Sequence, residues 1–91
     1  LETIGNGAFS EVSFTEVQLP ESVKKIGDNA FRGCKLLESI NMPKNLQYIG
    51  NDSFNGCTSL KEITIPSKVS TVGFYAFDGC SSLEKVHLNP V

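Results

Sequence analysis

The 91-residue sequence holds one histidine, one methionine and no tryptophan, and its formal net charge is only -2. A lone histidine, His87, leaves no pair of imidazoles for a metal centre or an acid–base couple. A charge this small supplies no field to draw nucleic acid or an anionic membrane. No apolar run approaches the roughly 20 residues that a membrane-spanning helix needs, so membrane insertion is not expected. Three cysteines are an odd number, which argues against a self-contained disulfide framework. The opening Leu1-Glu2-Thr3-Ile4-Gly5 has neither the basic segment nor the apolar core of a secretory leader. Leu1 falls inside a repeat, so that absence concerns only what would lie upstream.

What is present is a repeat. Phe31, Phe54 and Phe77 stand 23 residues apart, and so do Gly33, Gly56 and Gly79, and Cys34, Cys57 and Cys80. Pro20, Pro43 and Pro66 follow the same step, as do Val23, Leu46 and Val69. Ile26, Ile49 and Val72 keep it too, each followed by glycine. The first unit is one residue short, since Phe9 to Phe31 is 22, and it carries Ser10-Glu11-Val12 where the others have Gly-Cys. One unit reads L-x-x-I-x-I-P-x-x-V-x-x-I-G-x-x-A-F-x-G-C-x-S.

Each part of the unit has a physical reading. Leu60-Lys61-Glu62-Ile63-Thr64-Ile65 ends in apolar–polar alternation, the signal of a half-buried strand. Parallel strands are predicted near residues 15–19, 38–42, 61–65 and 84–88. Pro66 cannot donate a ladder hydrogen bond and ends its strand. Gly73 is expected to supply a backbone angle that a side chain would forbid. Ala76-Phe77-x-Gly79-Cys80 reads as a tight helical or 3₁₀ turn that plugs the interior with a phenyl ring. One such unit cannot bury its apolar face alone, whereas stacked units share a core.

The I-P-x-x-V-x-x-I-G-x-x-A-F-x-G-C pattern resembles the BspA-like (Treponema-type) leucine-rich repeats over essentially the whole chain. The resemblance implies an α/β, right-handed solenoid of about four 23-residue rungs. It places a parallel sheet on the concave side and short strands or 3₁₀ turns on the convex side. Residues 1–91 then form a single leucine-rich-repeat domain. Apolar residues at Leu1 and Val91 leave the outer rungs without a polar cap, so an excerpt of a longer solenoid is expected, and end-to-end self-association through the uncapped ends. By the same resemblance the chain is extracellular or cell-surface and belongs to an adhesin or host-binding protein, with a host or matrix protein as partner.

No segment offers catalytic or cofactor-binding chemistry. Ile4-Gly5-Asn6-Gly7-Ala8-Phe9-Ser10-Glu11-Val12 is similar to the glycine-rich loop of protein kinases. The equivalent segments of the other units, such as Ile26-Gly27-Asp28-Asn29-Ala30-Phe31, lack the second glycine, and no kinase lysine or catalytic loop follows. The cysteines, one per unit, form a column rather than a tetrahedral metal site and are expected as unpaired core thiols. His87 stands in the solvent-facing column of Gln18, Asn41 and Thr64, away from the core column of Cys80, which separates any nucleophile–base pair. Asn51-Asp52-Ser53 fits the glycosylation pattern, a triplet common by chance.

The remaining surface consists of two outward columns of the predicted strands: Glu16, Ser39, Glu62, Lys85 and Gln18, Asn41, Thr64, His87. They vary from unit to unit while the inward columns do not. They are the expected protein-binding face. The same variation fits the alternative, a structural spacer or stalk with no binding role, and neither column holds an aromatic anchor.

Overall fold

In the computed structural model, residues 2–88 are described, and they wind four times round one apolar core. Each turn contributes two short strands. These are β1 (Thr3–Ile4) and β2 (Glu16–Val17), β3 (Lys25–Ile26) and β4 (Ser39–Ile40), β5 (Tyr48–Ile49) and β6 (Glu62–Ile65), and β7 (Thr71–Val72) and β8 (Lys85–Leu88). Every pairing is parallel, and partners such as Glu16 and Ser39 or Glu62 and Lys85 stand one repeat apart. The predicted strands are thus present within two residues of their expected bounds.

Two features differ from expectation. The unbroken sheet is not the predicted one: β1, β3, β5 and β7 form four strands in order on the opposite face. The face expected to be concave is divided into the pairs β2–β4 and β6–β8. Nor is there a helix or 3₁₀ turn among the described residues. The corner amides explain why. Asp52, Phe54 and Gly56 donate to Phe74, Ala76 and Asp78 of the next rung, while Ser53, Asn55 and Cys57 close short turns on Gly50, Asp52 and Phe54. Alternate donors leave the segment, so no run of local bonds can grow into a helix.

The backbone turns left-handed twice per corner, four residues apart, at Asn29 and Gly33, Asp52 and Gly56, Tyr75 and Gly79. In the short first rung the two positions fall to Gly7 and Glu11, and Glu11 takes the left-handed angle (φ 63°) that glycine holds elsewhere. Gly73 is not among these residues, which corrects the expectation about its backbone angle. Its column is glycine for lack of room. A Cβ on Gly27 would stand 2.6 Å from the Asn6 side-chain oxygen, and one on Gly73 would collide with the Asn51 amide.

Inside the coil, Phe9, Phe31, Phe54 and Phe77 stack with centroids 5.2–5.6 Å apart. Phe31 and Phe54 are fully buried, and Phe77 is partly exposed on the outer side of the last rung. Phe14 takes the leucine column and tilts against Phe9 and Phe31. Each cysteine thiol donates to the phenylalanine carbonyl of the rung before it: Cys34 to Phe9, Cys57 to Phe31 and Cys80 to Phe54, at 3.1–3.2 Å. All three are free thiols, two of them buried. Pro20, Pro43 and Pro66 each offer a carbonyl to the amide three residues on, which turns the chain off its strand.

Candidate functional site

The strand face carries its side chains on a backbone spaced rung by rung. Val17, Ile40 and Ile63 point into the core, which sends Glu16, Ser39 and Glu62 outward. Glu16, Gln18, Ser39, Glu62, Lys85 and His87 are exposed, as expected, and Thr64 is half-buried. Glu38, Lys61 and Glu84 form a third outward column that the strand pattern alone did not single out. Together Glu38, Ser39, Lys61, Glu62, Glu84 and Lys85 line a shallow recess of about 370 Å³. Three carboxylates, two ammonium groups and a hydroxyl stand round it on side chains whose aliphatic stems also line the walls.

These charges stand largely unpaired. Among the described residues the one ion pair places His87 Nε2 3.5 Å from Glu62 Oε2, with both side chains more than half exposed. An exposed pair of that length contributes about 0–1 kcal/mol and leaves both groups available to a partner.

Asn41 behaves differently from its column. Its Nδ2 donates to the Leu19 carbonyl at 2.9 Å, and its Oδ1 accepts the Leu19 amide at 2.5 Å. The side chain thereby fastens the second rung to the first instead of facing solvent. No backbone hydrogen bond joins β4 to β6 among the described residues, so a seam divides the face. The recess lies across that seam, with Glu38 and Ser39 on one side and Lys61 and Glu62 on the other.

The other sequence candidates are structural. In the loop that is similar to a kinase motif, the amides of Gly7, Phe9 and Glu11 donate to Asp28, Ala30 and Arg32 at 2.8 Å and are not free for phosphate. Asn51 Oδ1 accepts the Phe74 amide at 2.8 Å, which ties down the side chain of the glycosylation triplet, and Ser53 is fully buried. Cys80 and His87 are not in contact: the thiol donates to Phe54 and the imidazole lies beside Glu62. Among the described residues no three His, Cys, Asp or Glu side chains gather as metal ligands. Among the described residues no helix is long and apolar enough to cross a membrane.

Sequence reasoning missed the opposite face. Its outward column is Thr3, Lys25, Tyr48 and Thr71, with the Lys25 ammonium 4.9 Å above the Tyr48 ring. The signal was the residue before each Ile-Gly or Val-Gly pair.

The parallel coil with its Ile-Gly, Ala-Phe and Gly-Cys columns matches the model of the BspA type leucine-rich repeat region, in six copies over residues 1–90. The chain belongs to that family. A leucine-rich repeat protein of Bacteroides capillosus is similar at 37% identity and a TM-score of 0.90, covering 99% of this chain and 64% of that one. One from Bacteroides ovatus is similar at 37% identity and a TM-score of 0.89, over 94% of this chain and 22% of that one. A leucine-rich cell surface protein of Faecalibacterium prausnitzii is similar at 26% identity and a TM-score of 0.60, over all of this chain and 30% of that one. The BspA-type repeats described here therefore span less than two thirds of each of these proteins. No curated protein sequence is a significant match. Leucine-rich-repeat solenoids of this kind are in general protein-interaction modules rather than enzymes.

Proposed function

We propose that this chain is a protein-interaction segment of a surface-exposed, adhesin-like protein, and that its partner is a host or matrix protein. The partner docks on the strand face carrying Glu16, Glu62, Lys61 and Lys85. One observation carries the reading: exposed, mostly unpaired charges of both signs stand on a backbone already fixed by rung-to-rung hydrogen bonds. Binding there orders little backbone, which avoids much of the usual entropic cost of association. Mixed signs favour a polar protein surface over nucleic acid or lipid. The leucine-rich cell surface protein of Faecalibacterium prausnitzii supports an outward location. The spacer reading is favoured by a separate fact: no outward position of this face is aromatic, and aromatic anchors dominate most interfaces.

The test is a binding titration against an array of extracellular-matrix and host-surface proteins. It compares the wild type with Glu62→Lys/Lys85→Glu and with Lys68→Glu, whose ammonium bonds Asn45 away from the strand face. The strand-face reading expects loss with the double variant alone. Loss with Lys68→Glu alone would put the partner elsewhere, and no binding by any form would favour the spacer.

A further inference from the structure

Charge is not spread evenly round the coil. The face of β1, β3, β5 and β7, with the turns that lead into it, holds Lys24, Lys25, Lys44 and Lys68 against Glu2 and Glu21, a net of +2. The strand face opposite holds Lys61 and Lys85 against Glu16, Glu38, Glu62 and Glu84, a net of -2. The basic face therefore takes four of the chain's eight cations and only two of its ten acids. A formal net charge of -2 for the whole chain conceals this separation. The coil measures 29 × 26 × 23 Å, whereas the Debye length at physiological salt is about 8 Å. Acids on the far face are screened and do not offset these lysines.

The sheet beneath the lysines is the unbroken one, so their backbone is tied rung to rung. All four lysines are exposed, and none pairs with a carboxylate among the described residues. Two are steadied without being neutralised. The Lys25 ammonium lies 4.9 Å above the Tyr48 ring, and Lys68 Nζ donates to Asn45 Oδ1 at 2.8 Å. Between the cations the outward side chains are exposed hydroxyls and an amide: Thr3, Gln47, Ser70 and Thr71.

We propose that this face binds a sulfated polysaccharide, with sulfates on the four lysines and sugar hydroxyls on the polar side chains between them. An acidic protein segment would want an aromatic or apolar anchor site, but the Tyr48 ring is half-buried with a cation over it. Single-stranded nucleic acid would want free rings on which to stack its bases, and the same ring is already covered. A sulfated sugar chain needs neither. The face shares no residue with the strand face, so this site stands or falls apart from the partner reading.

The experiment is calorimetric titration of the 91-residue chain with a heparin oligosaccharide of defined length at several salt concentrations. Desulfated heparin, polyglutamate, oligodeoxythymidine and phosphatidylserine vesicles are titrated in parallel, and far-UV circular dichroism confirms that each variant folds. Heparin should bind more tightly than any of the others. A linear polyanion releases counterions to each lysine that neutralises it, so the logarithm of affinity should fall linearly with that of salt. Lys24→Gln/Lys25→Gln should weaken binding and lower that slope by about two, one for each lysine lost. Lys61→Gln/Lys85→Gln removes the same charge from the strand face and should leave affinity and slope unchanged. Absence of heparin binding, an equal loss from the two double variants, or another of the anions bound as tightly as heparin would each overturn the proposal.

Discussion

Asp28 Oδ1 accepts the backbone amide of Asn51 at 2.9 Å, and it lies 2.7 Å from where a Cβ on Gly50 would stand. Asn6 and Asn51 make the same bond to the amides of Asp28 and Phe74. One ladder of side chains thus satisfies a row of backbone amides and forces the adjoining column to be glycine. Gly50→Ala should destabilise the fold by about 1–3 kcal/mol, the usual range for overpacking against a rigid neighbour. Gly5→Ala, with open space around it, should change stability by less than about 0.5 kcal/mol. Denaturant titration of both measures the difference, and equal effects would refute the packing account.

Truncating the aromatic column should be severe. Phe54 is fully buried with Phe31 and Phe77 stacked on its two faces at 5.2 and 5.5 Å. Phe54→Ala should cost about 3–5 kcal/mol. Against a total of about 5–15 kcal/mol that is enough to unfold much of the population. A loss below about 1 kcal/mol in urea unfolding would mean that the ring is not core.

Ser53 occupies the column of Ala8, Ala30 and Ala76, fully buried, and its hydroxyl finds no hydrogen-bond partner. Burying an unpaired hydroxyl costs about 1–3 kcal/mol. Ser53→Ala should therefore raise stability, and a gain of about 1 kcal/mol would raise the melting temperature by about 4–8 °C. A lower melting temperature would show that the hydroxyl has a partner after all.

Burial pushes the Cys57 thiol up from its ordinary 9.0 to about 12, with the neighbouring Cys80 and Cys34 adding to the effect. Burial also raises Cys34 and Cys80. The unfolded thiol ionises near 9.0 while the folded one stays neutral, so unfolding releases a proton in that window. Stability should be full below pH 9 and decline as the pH rises toward 12. Alkylating reagent at neutral pH should label the thiols only after denaturation, because little thiolate is present in the fold. Rapid labelling of the native chain, followed by mass spectrometry, would contradict this.

Asn41 and Thr64 share a column but not a role. Asn41→Ala strips both hydrogen bonds from the Leu19 backbone and should cost about 1–3 kcal/mol. Thr64→Ala removes a side chain with no such bond and should fall within about 0.5 kcal/mol. Thermal unfolding of the pair decides whether Asn41 is a fastening, and equal melting temperatures would argue that it is not.

Most of the fold was legible because a repeat states its own alignment. The 23-residue step placed the strands, their parallel register and the inward columns of Phe31, Phe54 and Phe77. The column of Cys34, Cys57 and Cys80 was equally readable. Part of the candidate face could be read as well: strand alternation put Glu16, Glu62, Lys85 and His87 outside. It could not say that Asn41 turns back to Leu19, since side chains of one column can make different bonds. Nor could it say that the Gly27, Gly50 and Gly73 column serves clearance, because a glycine needed for angle and one needed for room look alike in a sequence.

The sequence by itself determined the number of rungs, which residues face inward and the family to which the chain belongs. These depend on periodicity and burial, and both are written residue by residue. Only the tertiary structure decided which sheet runs unbroken and where the seam falls between β4 and β6. Only it decided that corner amides bond across rungs rather than coil into a helix. Those outcomes depend on competition between local and inter-rung hydrogen bonds, which is settled by the distance between neighbouring rungs and not by the composition of either.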